Sequence, residues 1–206
     1  FKEPYVLPTV MTCNEVKEIL KYLYKLRADN PDTGGYAYKA QTRDIAVVEL
    51  LFATGIRVSE LCELSCDAVD LKQATIKVFG KGSKERVIQI CSVEVLKILR
   101  QYQRLFAPSK CFFINRLGNR LSSQSVRLLI KRCREEIGIG KKITPHTFRH
   151  TFATLLLEED VDIKYIQNLL GHSSITTTQI YTHVNMNKQK KILSSKHPRK
   201  KMEMEE

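Results

Sequence analysis

The chain has 206 residues, is 43% hydrophobic, and carries 34 basic against 22 acidic side chains, a net charge of +12. That balance excludes a wholly disordered chain and allows one sizeable core. No stretch reaches the roughly 18–20 apolar residues of a membrane span, and no signal-peptide pattern opens the chain. The six cysteines are scattered, with only Cys62 and Cys66 close together. They read as reduced thiols of a cytoplasmic protein, not a disulfide framework or a zinc cluster. Surplus cations favour a polyanionic partner, nucleic acid ahead of a membrane surface, because neutralised phosphates release their counterions.

Residues 1–11 contain Pro4 and Pro8 and read as an extended lead-in. Thr12 with Glu15 forms a capping-box pattern, which predicts a helix to about Ala28. The segment 29–40 has turn composition and reads as a loop. Ile45, Val48, Leu51 and Phe52 recur at helical spacing, so a second helix is predicted over 41–54, with Gly55 ending it. A short helical stretch follows Arg57 and runs through Leu64. The period then changes: ATIKVF and ERVIQI, joined by GKGSK, read as a β-hairpin. Helices are predicted at about 92–104 and 122–137, with the apolar piece CFFI between them. Thr144-Pro145 is a strong helix start, since proline fits the first turn without losing a bond. That helix reaches about Glu159. Another runs from Asp162 to Gly171, and a third, short one from Ser174 carries Tyr181. Residues 186–206 are rich in Lys and Glu and read as a tail.

Several short segments concentrate chemistry. In HTFRH, His146 and Arg149 share a helix face three residues apart, in a first turn whose backbone N–H groups already favour an anion. The bland alternative is two surface residues on an amphipathic helix. His146 and His150 form an i, i+4 pair, but Thr147 stands where a zinc protease motif has Glu, so no metal site is assigned. In ATGIRVSEL, Arg57 and Glu60 form at least an i, i+3 ion pair. GKGSKER puts Lys81, Lys84 and Arg86 in and around the hairpin turn, within reach of a substrate groove. LLGHSSITTTQIYTH places His172 after a helix-stopping glycine and Tyr181 nine residues later. This last segment also reads as a helix–turn–helix, which would make the chain a DNA reader without catalysis.

Taken in order, ATGIRVSEL, GKGSKER, TPHTFRHTFAT and LLGHSSITTTQIYTHV resemble the tyrosine recombinases, the phage-type integrase family with an Xer-like branch, over about Leu7 to Val184. The resemblance implies an α+β fold: a mainly helical catalytic domain at 12–185 with a small antiparallel β-sheet. It implies that Arg57, Lys81, His146, Arg149, His172 and Tyr181 are catalytic, with Tyr181 the nucleophile and Glu60 a supporting acid. Lys84 and Arg86 are expected on the DNA. Residues 1–11 then read as a linker from an N-terminal DNA-binding domain, and 186–206 as a tail for packing on a neighbouring subunit. The implied reaction is site-specific recombination of double-stranded DNA through a covalent 3′-phosphotyrosyl link, without cofactor or metal, by a tetramer on DNA. The family's roles include chromosome-dimer resolution, phage integration and mobile-element transposition. Strand nicking and closing of the type IB topoisomerase kind is the alternative within the same chemistry.

Physical chemistry favours these residue types. Two guanidiniums stay charged and offer fixed forks of donors to a phosphate whose charge grows under attack. Positive charge also favours the phenolate of a tyrosine whose free pKa is about 10. A lysine on a turn can protonate the leaving 5′ oxygen.

Overall fold

The computed structural model describes residues 9–80, 85–108, 110–171, 190, 192–198 and 202. Among them are seven α-helices and a three-stranded sheet, in chain order α1 (Cys13–Ala28), α2 (Tyr36–Thr54), α3 (Val58–Glu63), β1 (Val69–Asp70), β2 (Thr75–Phe79), β3 (Glu85–Gln89), α4 (Val93–Phe106), α5 (Ser123–Glu136), α6 (Pro145–Glu158) and α7 (Ile163–Leu170). The sheet order is β1-β2-β3, antiparallel throughout, with Ile76 opposite Ile88 and Val78 opposite Arg86. The predicted mainly helical fold with a small antiparallel sheet is what is found.

Local chemistry accounts for most element ends. The Thr12 hydroxyl accepts from the Glu15 N–H at 3.1 Å while the Glu15 carboxylate accepts from the Thr12 N–H at 2.7 Å. Thr144 caps α6 with a like reciprocal pair to Thr147, and the Ser92 and Ser122 hydroxyls cap α4 and α5 by accepting the Val95 and Ser125 N–H. One boundary differs from the sequence reading: α2 starts at Tyr36, not near residue 41. The Asp32 carboxylate accepts the Gly35 N–H at 2.8 Å, so the apparent loop ends sooner and the aromatic pair Tyr36 and Tyr38 joins the helix. The short β1 strand carries no periodic signal and is an addition to the predicted hairpin.

Helix α2 is the spine. Every residue from Ile45 to Thr54 is buried, because α1, α4 and α6 pack around it. A second, smaller cluster gathers Phe152, Leu156, Val161, Ile166, Leu170 and Leu193. Helix α6 joins the two, with Phe148 in the main core and Phe152 in the smaller one.

The described residues of the tail lie on their own chain. Residues 192–196 are helical, Leu193 is buried in the smaller cluster, and His197 is buried with Nε2 at 2.8 Å from the Ala53 carbonyl. A carbonyl only accepts, so Nε2 carries the proton. The Lys196 ammonium donates to the Glu159 carbonyl.

Gly55 shows how tightly α2, α6 and α7 meet. Its φ is +61°, and a Cβ there would lie 2.6 Å from Phe152 and 2.7 Å from Leu170. Gly55→Ala is expected to destabilise the chain by more than ~1 kcal/mol, through left-handed strain plus overpacking. Urea unfolding checks this; an unchanged midpoint would show that the two neighbours yield freely.

Candidate active site

Arg57 is the residue on which α3 starts, directly after the turn that ends α2. Glu60, one turn into α3, reaches back to it. Its Oε2 accepts the Arg57 backbone N–H at 2.9 Å and its Oε1 accepts the Arg57 guanidinium at 2.8 Å. Arg86 on β3 completes the arrangement with two parallel bonds, Nη1 to Oε1 at 2.9 Å and Nη2 to Oε2 at 2.7 Å. Each carboxylate oxygen therefore has two donors, which fills its lone pairs. This is a part-buried network of three residues around a buried carboxylate and not an exposed i, i+3 pair.

Burial alone would push the Glu60 carboxyl up. The hydrogen bonds from Arg86, then from the Arg57 backbone, outweigh it and hold the pKa at about 2.

Arg149 enters from the second turn of α6. Its Nη1 donates to the Gly55 carbonyl at 2.8 Å and its Nη2 to the Leu170 carbonyl at 2.6 Å. Its side chain is 5% exposed, whereas that of Arg57 is 32% exposed, so Arg149 is the framed guanidinium and Arg57 the one facing solvent. Burial first, then the charge of Arg57, with Glu60 opposing and Arg86 adding to it, bring the Arg149 pKa down to about 10. It stays charged at neutral pH. His146 lies one turn before Arg149, on the exposed side of α6. His150 is also exposed, and its pKa is lowered by partial burial and by its neighbours His146 and Arg149.

The structure thus brings Arg57, Glu60 and Arg149 together, with His146 exposed one turn before Arg149 on α6. Arg86, which the sequence puts among the expected DNA contacts, pairs with Glu60 in this arrangement. Its three donor nitrogens go to Glu60 and to the Leu169 carbonyl. Alternation along β3 explains this: Arg86, Ile88 and Ile90 share a face, and both isoleucines are buried. That signal was present in the sequence. Lys81, Lys84, His172 and Tyr181 lie outside the described residues, as does the helix predicted from Ser174. Among the described residues, no cluster of His, Cys, Asp and Glu is arranged to hold a metal ion, and no helix is long and apolar enough to cross a membrane.

With this geometry in hand, comparison with known proteins is decisive. The model of the phage integrase family matches residues 9–188. The chain belongs to that family, the tyrosine recombinases. A tyrosine recombinase of Agathobacter rectalis is 50% identical over 204 residues, covering 97% of this chain and 66% of the relative. Tyrosine recombinase XerC of Thermodesulfovibrio yellowstonii is 45% identical over 165 residues, covering 76% of this chain and 55% of the relative. XerD of Staphylococcus saprophyticus is 38% identical over 200 residues, covering 94% and 64%. The chain therefore spans from just over half to about two thirds of the lengths of these recombinases. Among solved structures, the XerA recombinase superposes with a TM-score of 0.70 at 32% identity, covering 93% of this chain and 66% of that one. XerH bound to its palindromic difH substrate, in a post-cleavage complex, gives 0.71 at 25% identity, covering 92% and 53%.

The lowered pKa of Glu60 has a definite sign. Against an ordinary value of 4.5, a folded value of about 2 means that the ionised network stabilises the fold fully above pH 4.5. That stabilisation is lost as pH falls through about 2. In Glu60→Gln this part of the acid sensitivity should disappear, and the variant should be less stable at neutral pH. Denaturant titrations at several pH values check both; parallel curves for the two proteins would contradict the assignment.

Proposed function

We propose that this recombinase chain cuts and rejoins double-stranded DNA through a covalent tyrosyl intermediate. One observation carries the reading: Arg57 and Arg149, distant in sequence, converge where Gly55 and the end of α7 meet, and one buried acid holds Arg57 there. Two fixed forks at one point suit a single phosphate whose negative charge grows as it is attacked. His146, in the first turn of α6, adds a donor where helix N–H groups already favour an anion.

The chemistry proceeds in two transfers. The Tyr181 hydroxyl gives its proton to a neutral histidine of the site as its oxygen attacks the scissile phosphate, a 3′-phosphotyrosyl bond forms, and the 5′-oxygen bond breaks. Lys81 supplies the proton that the leaving 5′ oxygen needs, and His172 joins the phosphate contacts. The 5′-hydroxyl of a second duplex then attacks the phosphotyrosyl bond, expels Tyr181, and restores a phosphodiester. Each transfer exchanges one ester for another, so no nucleotide hydrolysis is required. Strand exchange between two duplexes calls for four such chains, a tetramer on DNA. Docking of Leu193 and His197 on a neighbour would use the same contacts that the tail makes on its own chain.

A nicked suicide duplex separates catalysis from mere binding. The chain should give a covalent protein–DNA band, and Tyr181→Phe should give none while still shifting DNA in a gel. A salt-sensitive shift with no covalent band in the unmodified chain would make it a DNA-binding protein that keeps the fold.

A further inference from the structure

The carboxyl end of α7 is gripped by three different guanidiniums on three successive carbonyls. Arg86 Nε donates to Leu169 at 3.2 Å, Arg149 Nη2 to Leu170 at 2.6 Å, and Arg57 Nη2 to Gly171 at 3.3 Å. Such carbonyls have no partner within their helix and carry the negative end of its dipole, so cations are favoured there. Arg57 and Arg149 belong to the site already described. Arg86 has no assigned part in the reaction, yet it, like Arg57, joins this helix end to Glu60. It is 14% exposed and spends both forks inward. Gly171 is shaped around it: φ is +67°, and a Cβ there would lie 2.9 Å from Arg86 Nη1.

We propose that Arg86 is a positioning residue for strand cleavage, locking Glu60 and the end of α7 to one another. The proposal rests on the cut-and-rejoin reading of the site. Its physical content is a chain of constraints. Glu60 orients Arg57, Arg86 orients Glu60, and the same guanidinium fixes the Leu169 carbonyl. Two residues beyond Leu169, Gly171 is followed directly by His172, the first residue of the stretch that carries Tyr181. One planar side chain therefore ties the phosphate-facing Arg57 to the point from which the nucleophile's segment departs. A lysine keeps the charge but has no fork, so it cannot hold two carboxylate oxygens and a carbonyl together.

The test is single-turnover cleavage of the suicide duplex, with protein in excess, for the parent and for Arg86→Lys. The amplitude reports the folded fraction, and the rate constant reports the bound, folded molecules alone. The rate constant should fall on the order of 100-fold, as expected for a slight misplacement of reacting groups. The slope of log affinity against log salt should stay unchanged, because no phosphate contact is lost. A rate constant within about three-fold of the parent's, well short of that misplacement effect, would overturn the proposal. So would a salt slope lessened by about 1, the mark of a lost phosphate contact. If Arg86→Lys does not fold, Gly171→Ala crowds the same guanidinium from the other side, and the same two outcomes apply to it. Where both fold, the double variant should be no slower than the slower single one; additive losses would count against a shared role. A parent chain that forms no covalent band removes the recombinase reading and this proposal with it, whereas a cleaving parent with a fully active Arg86→Lys removes this proposal alone.

Discussion

A single buried carboxylate holds the cationic centre of this molecule together. Three guanidiniums within one small volume repel each other, and burying any of them costs free energy unless it is paired. Glu60 answers both demands by taking four hydrogen bonds from two arginines. The carbonyl ends of α2 and α7 supply the remaining negative character, to Arg149 and Arg57. The arginines are thus held rigid before any phosphate arrives, which is what a site stabilising a transient charge requires.

The fold exists to bring element ends to one place. Arg57 sits where α3 begins, His146 and Arg149 in the first two turns of α6, and Arg86 near the start of β3, while α7 ends among them. Their supports are apolar. Helix α2 is buried along its second half, and Phe148 and Phe152 pin α6 to two separate clusters. Gly55 lets α2 end in close contact with both Phe152 and Leu170, so that its carbonyl reaches Arg149. A site built this way is displaced by changes in packing well away from any charge.

Much of this was legible in the sequence, for reasons that can be named. Thr12 with Glu15, Thr144 with Pro145, and the glycines at 55 and 171 announce helix ends through local hydrogen bonding and backbone sterics, which need no tertiary context. The hairpin follows from a change of period. The spacing of the motifs identified the family, and with it the candidate residues. What escaped has a different cause in each case. The start of α2 at Tyr36 is set by a side-chain bond from Asp32 to Gly35 that composition disguises as loop. The pairing of Arg86 with Glu60 lies on the buried face of a two-residue alternation on β3, a signal that the basic turn beside it masks. Of the tail's apolar residues, Ile192 and Leu193 pack on the smaller cluster of the same chain, and Met186 lies outside the described residues.

The central claim is that Arg57 and Arg149 close on one phosphate while Glu60 and Arg86 stay locked behind them. A crystal structure of the chain on a duplex trapped before cleavage measures this directly. The account predicts both guanidiniums within about 3 Å of oxygens of the same phosphate, the Tyr181 hydroxyl in line with its 5′ oxygen, and Arg86 still paired with Glu60. Arg57 and Arg149 on different phosphates, or Arg86 withdrawn from Glu60 to the DNA, would contradict it.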